Sequence, residues 1–201
     1  VVQHMRKTER HIRKRNRFPI IFPIVTIIGI GIVVVLSSFY EKSWIYDWNG
    51  IRQQIKDSVK VAEYGGISSG VVGIAAKRPK QFDRRVWIMK NATESELLKL
   101  TEYPNGTIKS IAYEGLIRKP EFKNKTDLIL KAISDTEYPI EFQSGCVGTN
   151  MNISEYLVDF VLYIDDKSPP SPIGFENTFG LSESERNKIL AEYRKIPSLW
   201  K

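Results

Sequence analysis

The chain has 201 residues, with 30 Lys and Arg against 23 Asp and Glu, a formal charge of +7 and a pI near 9.4. Seven of the basic residues (Arg6, Lys7, Arg10, Arg13, Lys14, Arg15 and Arg17) and only Glu9 among the acids fall in the first 17 positions, which carry a net +6 and leave +1 for the other 184; the basic character belongs to a tail and not to a domain that grips nucleic acid. Both histidines, His4 and His11, lie in that tail and Cys146 is the sole cysteine, which excludes structural zinc, disulfides and Ser-His-Asp or Cys-His nucleophiles from the rest of the chain and leaves carboxylate chemistry open.

Phe18 to Tyr40 are 23 consecutive uncharged residues, strongly apolar as far as Leu36. The 19 apolar residues as a helix rise about 28 Å, close to the hydrocarbon thickness of a bilayer. Pro19 and Pro23 stand in the first turns, where a missing donor costs least. Seven cations before the segment and Glu41 after it give the positive-inside arrangement, with residues 1–17 cytoplasmic and the remainder across the membrane. A signal peptide cleaved after Ser38 is the rival reading, although the stretch is long for one and no A-x-A site follows. Topology and attraction to anionic lipid account for the tail without nucleic acid.

After the span, Trp44, Trp48, Ile51, Ile55, Val59 and Ala62 recur at helical steps, and Gly65-Gly66 marks a stop. Trp44, Tyr46 and Trp48 are also placed to anchor at a membrane interface. Ile67 to Ala76 reads as a Gly-rich apolar loop. Its glycines, Gly65, Gly66, Gly70 and Gly73, lack both the Gly-Lys-Ser/Thr of a phosphate loop and the preceding strand of a dinucleotide site. Pro79 opens a helix with Phe82, Val86 and Met89 on one face. Thr93-x-x-Glu96 is a capping box leading into Leu97, Leu98 and Leu100. After the turn Tyr103-Pro104-Asn105-Gly106, a helix turns Ile108, Ile111, Ala112, Gly115 and Leu116 inward until Pro120.

Thr126 is placed to cap a further helix through Ile133. Ile153, Tyr156, Leu157, Phe160 and Ile164 have helical spacing, with a strand still open. Ser168 to Pro172 is a Pro-rich link, and Ser182-x-x-Glu185 caps a terminal helix with Ile189, Leu190 and Tyr193. Near the end, Trp200 is either a core plug or a docking residue. Asp159, Asp165 and Asp166 lack a calcium-loop pattern and read as solvated acids. Asn91, Asn105, Asn124 and Asn152 begin N-x-Ser/Thr triplets, which helix-boundary chemistry explains for three of the four.

Leu97-Leu98-x-Leu100-Thr101, the turn Pro104-Asn105-Gly106 and Ile108-Lys109-x-x-Ala112-x-x-Gly115-Leu116 together resemble one hairpin of a HEAT repeat, over residues 93–118. In that family the second helix begins with an acidic or amide residue, followed by Val-Arg and small residues before a Leu. Asn105, Ile108, Lys109, Ala112, Gly115 and Leu116 stand in those places, with Lys109 in place of the usual Arg and its planar fork. Residues 80–90 and 126–134 are candidates for degenerate copies. The resemblance implies stacked helical hairpins, in which Ala112 and Gly115 admit a close neighbour, and a scaffolding or protein-binding role.

The expected chain is therefore all-α. It has a basic cytoplasmic tail (1–17), a transmembrane helix (18–40) and an extracytoplasmic helical domain (41–201). Its expected role is a membrane-anchored, non-catalytic interaction or scaffold subunit of an envelope complex, with the lipid bilayer and another protein as partners. No catalytic, metal or cofactor residue is assigned. The alternatives are a carboxylate-dependent extracytoplasmic hydrolase and a signalling element with the tail as output.

Overall fold

The computed structural model describes residues 18–38, 42–166 and 179–199. The chain divides into two units, Val1–Trp44 and Ile45–Lys201. The basic tail residues, the Pro-rich link 168–172 and Trp200 lie outside the described residues.

The first unit contains helix α1, Phe18–Ser38, whose side chains from Ile21 to Ser38 are all exposed. Ile27 is 69% and Val33 64% exposed, so the helix presents apolar surface all round instead of one stripe. A surface helix of a soluble domain carries one apolar stripe, and α1 does not have that pattern. Its hydroxyls are already satisfied: Thr26 donates to the Phe22 carbonyl, and Ser37 and Ser38 both donate to that of Val34. At 21 residues α1 extends about 32 Å, and it is long and apolar enough to cross a membrane.

The second unit is mostly helical. Its helices are α2 (Gln53–Ala62), α3 (Lys80–Asn91), α4 (Glu94–Leu100), α5 (Gly106–Arg118), α6 (Lys125–Ser134), α7 (Ile153–Glu155), which runs on as a π-helix over Tyr156–Leu162, and α8 (Glu183–Tyr193). The capping boxes form as read from the sequence. Thr93 accepts from the Glu96 amide while Glu96 reaches back to the Thr93 amide, and Ser182 and Glu185 do the same for α8. Asn105 caps α5 by accepting from the Ile108 amide. Helix α5 is the hub, buried from Gly106 to Ile117 and packed against α2, α3, α4, α6, α7 and the π-helix.

The all-α expectation needs correcting, because three strands form one sheet in the order β1-β2-β3. They are β1 (Ile67–Val72), β2 (Ile140–Gly145) and β3 (Val147–Met151). β1 pairs parallel with β2, which forms an antiparallel hairpin with β3. The segment read as a Gly-rich loop is thus a strand, held by backbone bonds to a partner some 75 positions away in sequence. The parallel pair needs a long crossover, and helices α3 to α6 supply it. At the hairpin turn, Gly145 takes a left-handed φ of 56° and exposed Cys146 follows it.

Other boundaries shift for local reasons. Helix α2 starts only at Gln53, and Tyr46 and Trp48 form edge-on contacts with each other. Both rings also pack on Tyr103 of this unit, so the domain itself uses them. Leu98 is exposed while Leu97 and Leu100 are buried. Asn124, not Thr126, takes the N-cap position of α6; the Thr126 hydroxyl donates instead to Glu185 at 2.7 Å, fastening α6 to α8. Asp159 and Asp165 are buried rather than solvated. Asp159 accepts from Tyr193 at 3.0 Å and Asp165 from Arg194 at 2.8 Å, tying α8 to the π-helix and the residues after it.

Candidate functional site

All six residues assigned to the HEAT-like hairpin lie on α5 or at its cap. Ile108, Ala112 and Leu116 are in the core. Gly115 admits Leu97 and Met89 so closely that an added Cβ would stand 3.1–3.3 Å from their side chains. Lys109 is also buried and extends its ammonium 2.5 Å from Asp135 at the C-cap of α6, above the Tyr138 ring. Where a guanidinium fork was missing, an ammonium thus links α5 to the next helix.

A charged cluster lies toward the C-terminal half of the same helix. Glu114 and Arg118 are one turn apart on α5, Arg85 comes from α3, and Tyr156 is the first residue of the π-helix. The Tyr156 hydroxyl donates to Glu114 Oε2 at 2.6 Å and accepts from Arg85 Nη1 at 2.6 Å. Arg118 Nε donates to Glu114 Oε1 at 2.7 Å, and Arg85 Nη1 lies 3.7 Å from Oε2. Both carboxylate oxygens are therefore engaged, and Glu114 is 2% exposed. The order Glu then Arg at i,i+4 suits a helix C-terminus, where the macrodipole favours the cation.

Burial pushes the Tyr156 phenol well above its ordinary range; Glu114 adds to this and Arg85 opposes it. Tyr156 is therefore a neutral donor and not a base. Burial works against the Arg85 charge, yet Tyr156 and Glu114 hold it above its usual range. Tyr163 is likewise raised, mainly by burial. With Tyr156 neutral, two guanidiniums and one carboxylate leave the cluster with one net positive charge.

Arg85, Glu114 and Arg118 line two adjoining cavities, and Tyr156 lines the smaller of them. One, of about 360 Å³, is bounded by Phe82, Phe142, Phe160, Tyr163 and the strand residues Gly70 and Ser144. The other, of about 570 Å³, is more apolar and is walled by Val86, Met89, Gly115 and Pro120. Both volumes fall in the range of small-molecule sites. Phe82, Val86 and Met89, which share a face of α3 as the spacing predicted, border this open cleft, while Ile88 carries the core contact.

Two backbone features meet at the smaller cavity. Seven residues of π-helix are uncommon, and such segments often mark functional positions. The π-helix ends at Tyr163 in a left-handed conformation, φ 51° and ψ 48°, which costs an L-residue about 1–2 kcal/mol. The sequence reading gave no functional role to Arg85, Glu114, Arg118, Tyr156 or Tyr163, and named Tyr156 only for its helical spacing. The available signal was Glu114 itself, a carboxylate inside the apolar run Ile111 to Ile117 with an arginine four residues on.

Elsewhere, a cavity of about 310 Å³ runs along the sheet between Gly65 and Asn150. Among the described residues no group of three His, Cys, Asp or Glu side chains is placed to hold a metal ion. No family model, curated protein or solved structure matches the chain, so its own residues carry the functional reading.

Proposed function

We propose that the protein is a single-pass membrane-anchored binding subunit. Helix α1 crosses the bilayer, the basic residues before it stay on the cytoplasmic side, and the domain from Ile45 faces the other compartment. There it serves as a non-catalytic interaction module of an envelope complex. The observation that carries this reading is α1, apolar and exposed through every side chain from Ile21 to Ser38 except its few backbone-bonded hydroxyls. Placing that surface in lipid removes it from water at about 25 cal/mol per Å².

The interaction role draws support from α4–α5, a HEAT-like hairpin enclosed among further helices. It also draws support from a cleft whose ionised groups bind one another and leave little acid–base capacity. The test is protease applied to oriented membrane vesicles, followed by crosslinking in native membranes. Digestion of residues 45–201 only from the non-cytoplasmic face, together with a reproducible crosslinked partner, is the expected result. Cleavage from the cytoplasmic face reverses the topology, and repeated recovery of the protein alone removes the scaffold reading.

A further inference from the structure

The cleft around Glu114 has more hydrogen-bond donors than acceptors. An arginine carries five N–H groups. Arg85 spends one on Tyr156, and its Nε is buried without a partner among the described residues. Arg118 spends its Nε on Glu114. The carboxylate and phenol oxygens of the cluster are already accepting. Arg85 Nε therefore lacks an acceptor, and the charged groups that line the smaller chamber, Arg85, Arg118 and Glu114, carry one net positive charge. Arg85 is only 11% exposed, and a buried guanidinium with idle donors is costly unless something arrives to use them.

The cavity walls specify the rest of the ligand. Phe82, Phe142 and Phe160 line the smaller chamber, and Arg85 lies over the Phe82 ring at 5.0 Å. We propose that this cleft binds a carboxylate carried on an apolar, ring-sized body, with the carboxylate taken by Arg85 and Arg118 and the body seated among the three phenylalanines. A guanidinium matches a carboxylate with two parallel bonds. A single carboxylate neutralises the cluster, whereas a phosphate dianion overshoots it. The carboxylate has two possible sources, a free organic acid or the C-terminus of a peptide ending in an aromatic residue. The inference goes beyond the membrane-anchored interaction reading, and its test measures neither topology nor partner capture.

The experiment titrates the full chain in lipid nanodiscs by calorimetry with 3-phenylpropionate, its neutral amide, phenyl phosphate, and an acetylated tripeptide ending in Phe as free acid or amide. Two variants accompany it. Arg118→Gln alters a side chain that is 40% exposed; it takes one ionic partner from the buried Glu114 and leaves Tyr156 and Arg85 at the other oxygen. Gly70→Leu fills the smaller chamber from β1, where a Cβ meets only Phe82 carbons at an ordinary 3.7 Å. The expected result is saturable binding of the free acid or the free-acid tripeptide, at least tenfold weaker binding of the matching amide, and a tenfold or greater loss in both variants, with Gly70→Leu melting like the parent and Arg118→Gln folding cooperatively at a lower Tm. Preference for the tripeptide assigns the source to a chain terminus, and preference for 3-phenylpropionate to a free acid. Equal binding of acid and amide, no binding of either acid, tighter binding of phenyl phosphate, or unchanged binding in a folded Gly70→Leu variant overturns the proposal.

Discussion

Glu96→Gln is the substitution that best tests how the second unit is fastened. The Glu96 carboxylate is 2% exposed and accepts five hydrogen bonds. Oε1 takes the Arg52 amide and Nε, both at 2.9 Å. Oε2 takes Arg52 Nη2 at 2.8 Å, the Thr93 amide at 2.8 Å and the Thr93 hydroxyl at 3.1 Å. Whichever oxygen becomes an amide nitrogen, at least two donors then face a donor. The Arg52 side chain is half exposed, so its ion-pair share is screened, but the two backbone amides are not. At roughly 1–3 kcal/mol per acceptor lost, with part recovered by water, the cost is about 2–4 kcal/mol. In a domain of this size that lowers Tm by roughly 5–15 °C.

The same site sets a pH dependence. The Arg52 guanidinium, with further help from the Thr93 and Arg52 amides, holds the Glu96 carboxyl at about 2, against an ordinary 4.5. A folded-state pKa below the unfolded one adds stability that is complete above the unfolded value and lost as pH falls toward the folded value. The parent should therefore lose stability between pH 4.5 and 2 more steeply than the Gln variant. Thermal melts of the full chain in detergent micelles, followed by near-UV circular dichroism, read both quantities. A Tm change under 2 °C at pH 7, or identical acid branches for the two proteins, refutes the reasoning.

Three further substitutions or modifications test the packing. Gly106→Ala should destabilise the second unit by about 1–3 kcal/mol or more, because its Cβ would fall within 2.7 Å of the Tyr138 and Pro139 carbonyl oxygens, which belong to backbone and cannot rotate away; the melt of the full chain checks it. Lys109→Met should cost about 3–5 kcal/mol by leaving Asp135 unpaired, and adding Asp135→Asn should restore much of the loss, which a double-mutant cycle in urea measures. In a glycosylating host, Asn91 and Asn124 are exposed and open to modification. Asn105 is half-buried as the cap of α5 and Asn152 is buried, so neither is open; intact-mass spectrometry should find at most two sites filled.

What the sequence made legible was local. Capping boxes at Thr93 and Ser182 fix helix starts through side chains three residues apart, and each forms as read. The inward face of α5 follows from its spacing and is buried throughout. The sheet was not legible because β1 is polar and glycine-bearing in its middle, and its partner is β2, across four helices. β2 did carry a period-two signal, with Ile140 and Phe142 buried and Glu141 and Gln143 exposed, but four residues of alternation between loops weigh little against a helical background.

The site was illegible for a different reason. Arg85, Glu114 and Tyr156 are 29 and 42 positions apart in sequence, and no local rule pairs them. Read singly, each has a bland explanation: a surface arginine on an amphipathic helix, an i,i+4 partner for Arg118, an aromatic core residue. Only the fold makes these explanations compete. Once α3, α5 and the π-helix converge, Arg85 and Glu114 are withdrawn from water together, and the phenol between them has to donate to one and accept from the other. A structural role alone would be served as well by three apolar side chains, since a buried ion pair seldom outperforms a packed hydrophobic substitute. The unspent guanidinium donors at the edge of a cavity are what an apolar replacement could not supply. A variant that replaces Arg85, Glu114 and Tyr156 together with Met, Leu and Phe should therefore keep or raise Tm while abolishing carboxylate binding; if it instead unfolds at a lower temperature, the cluster is a structural tie and the cleft has no need of a ligand to explain it.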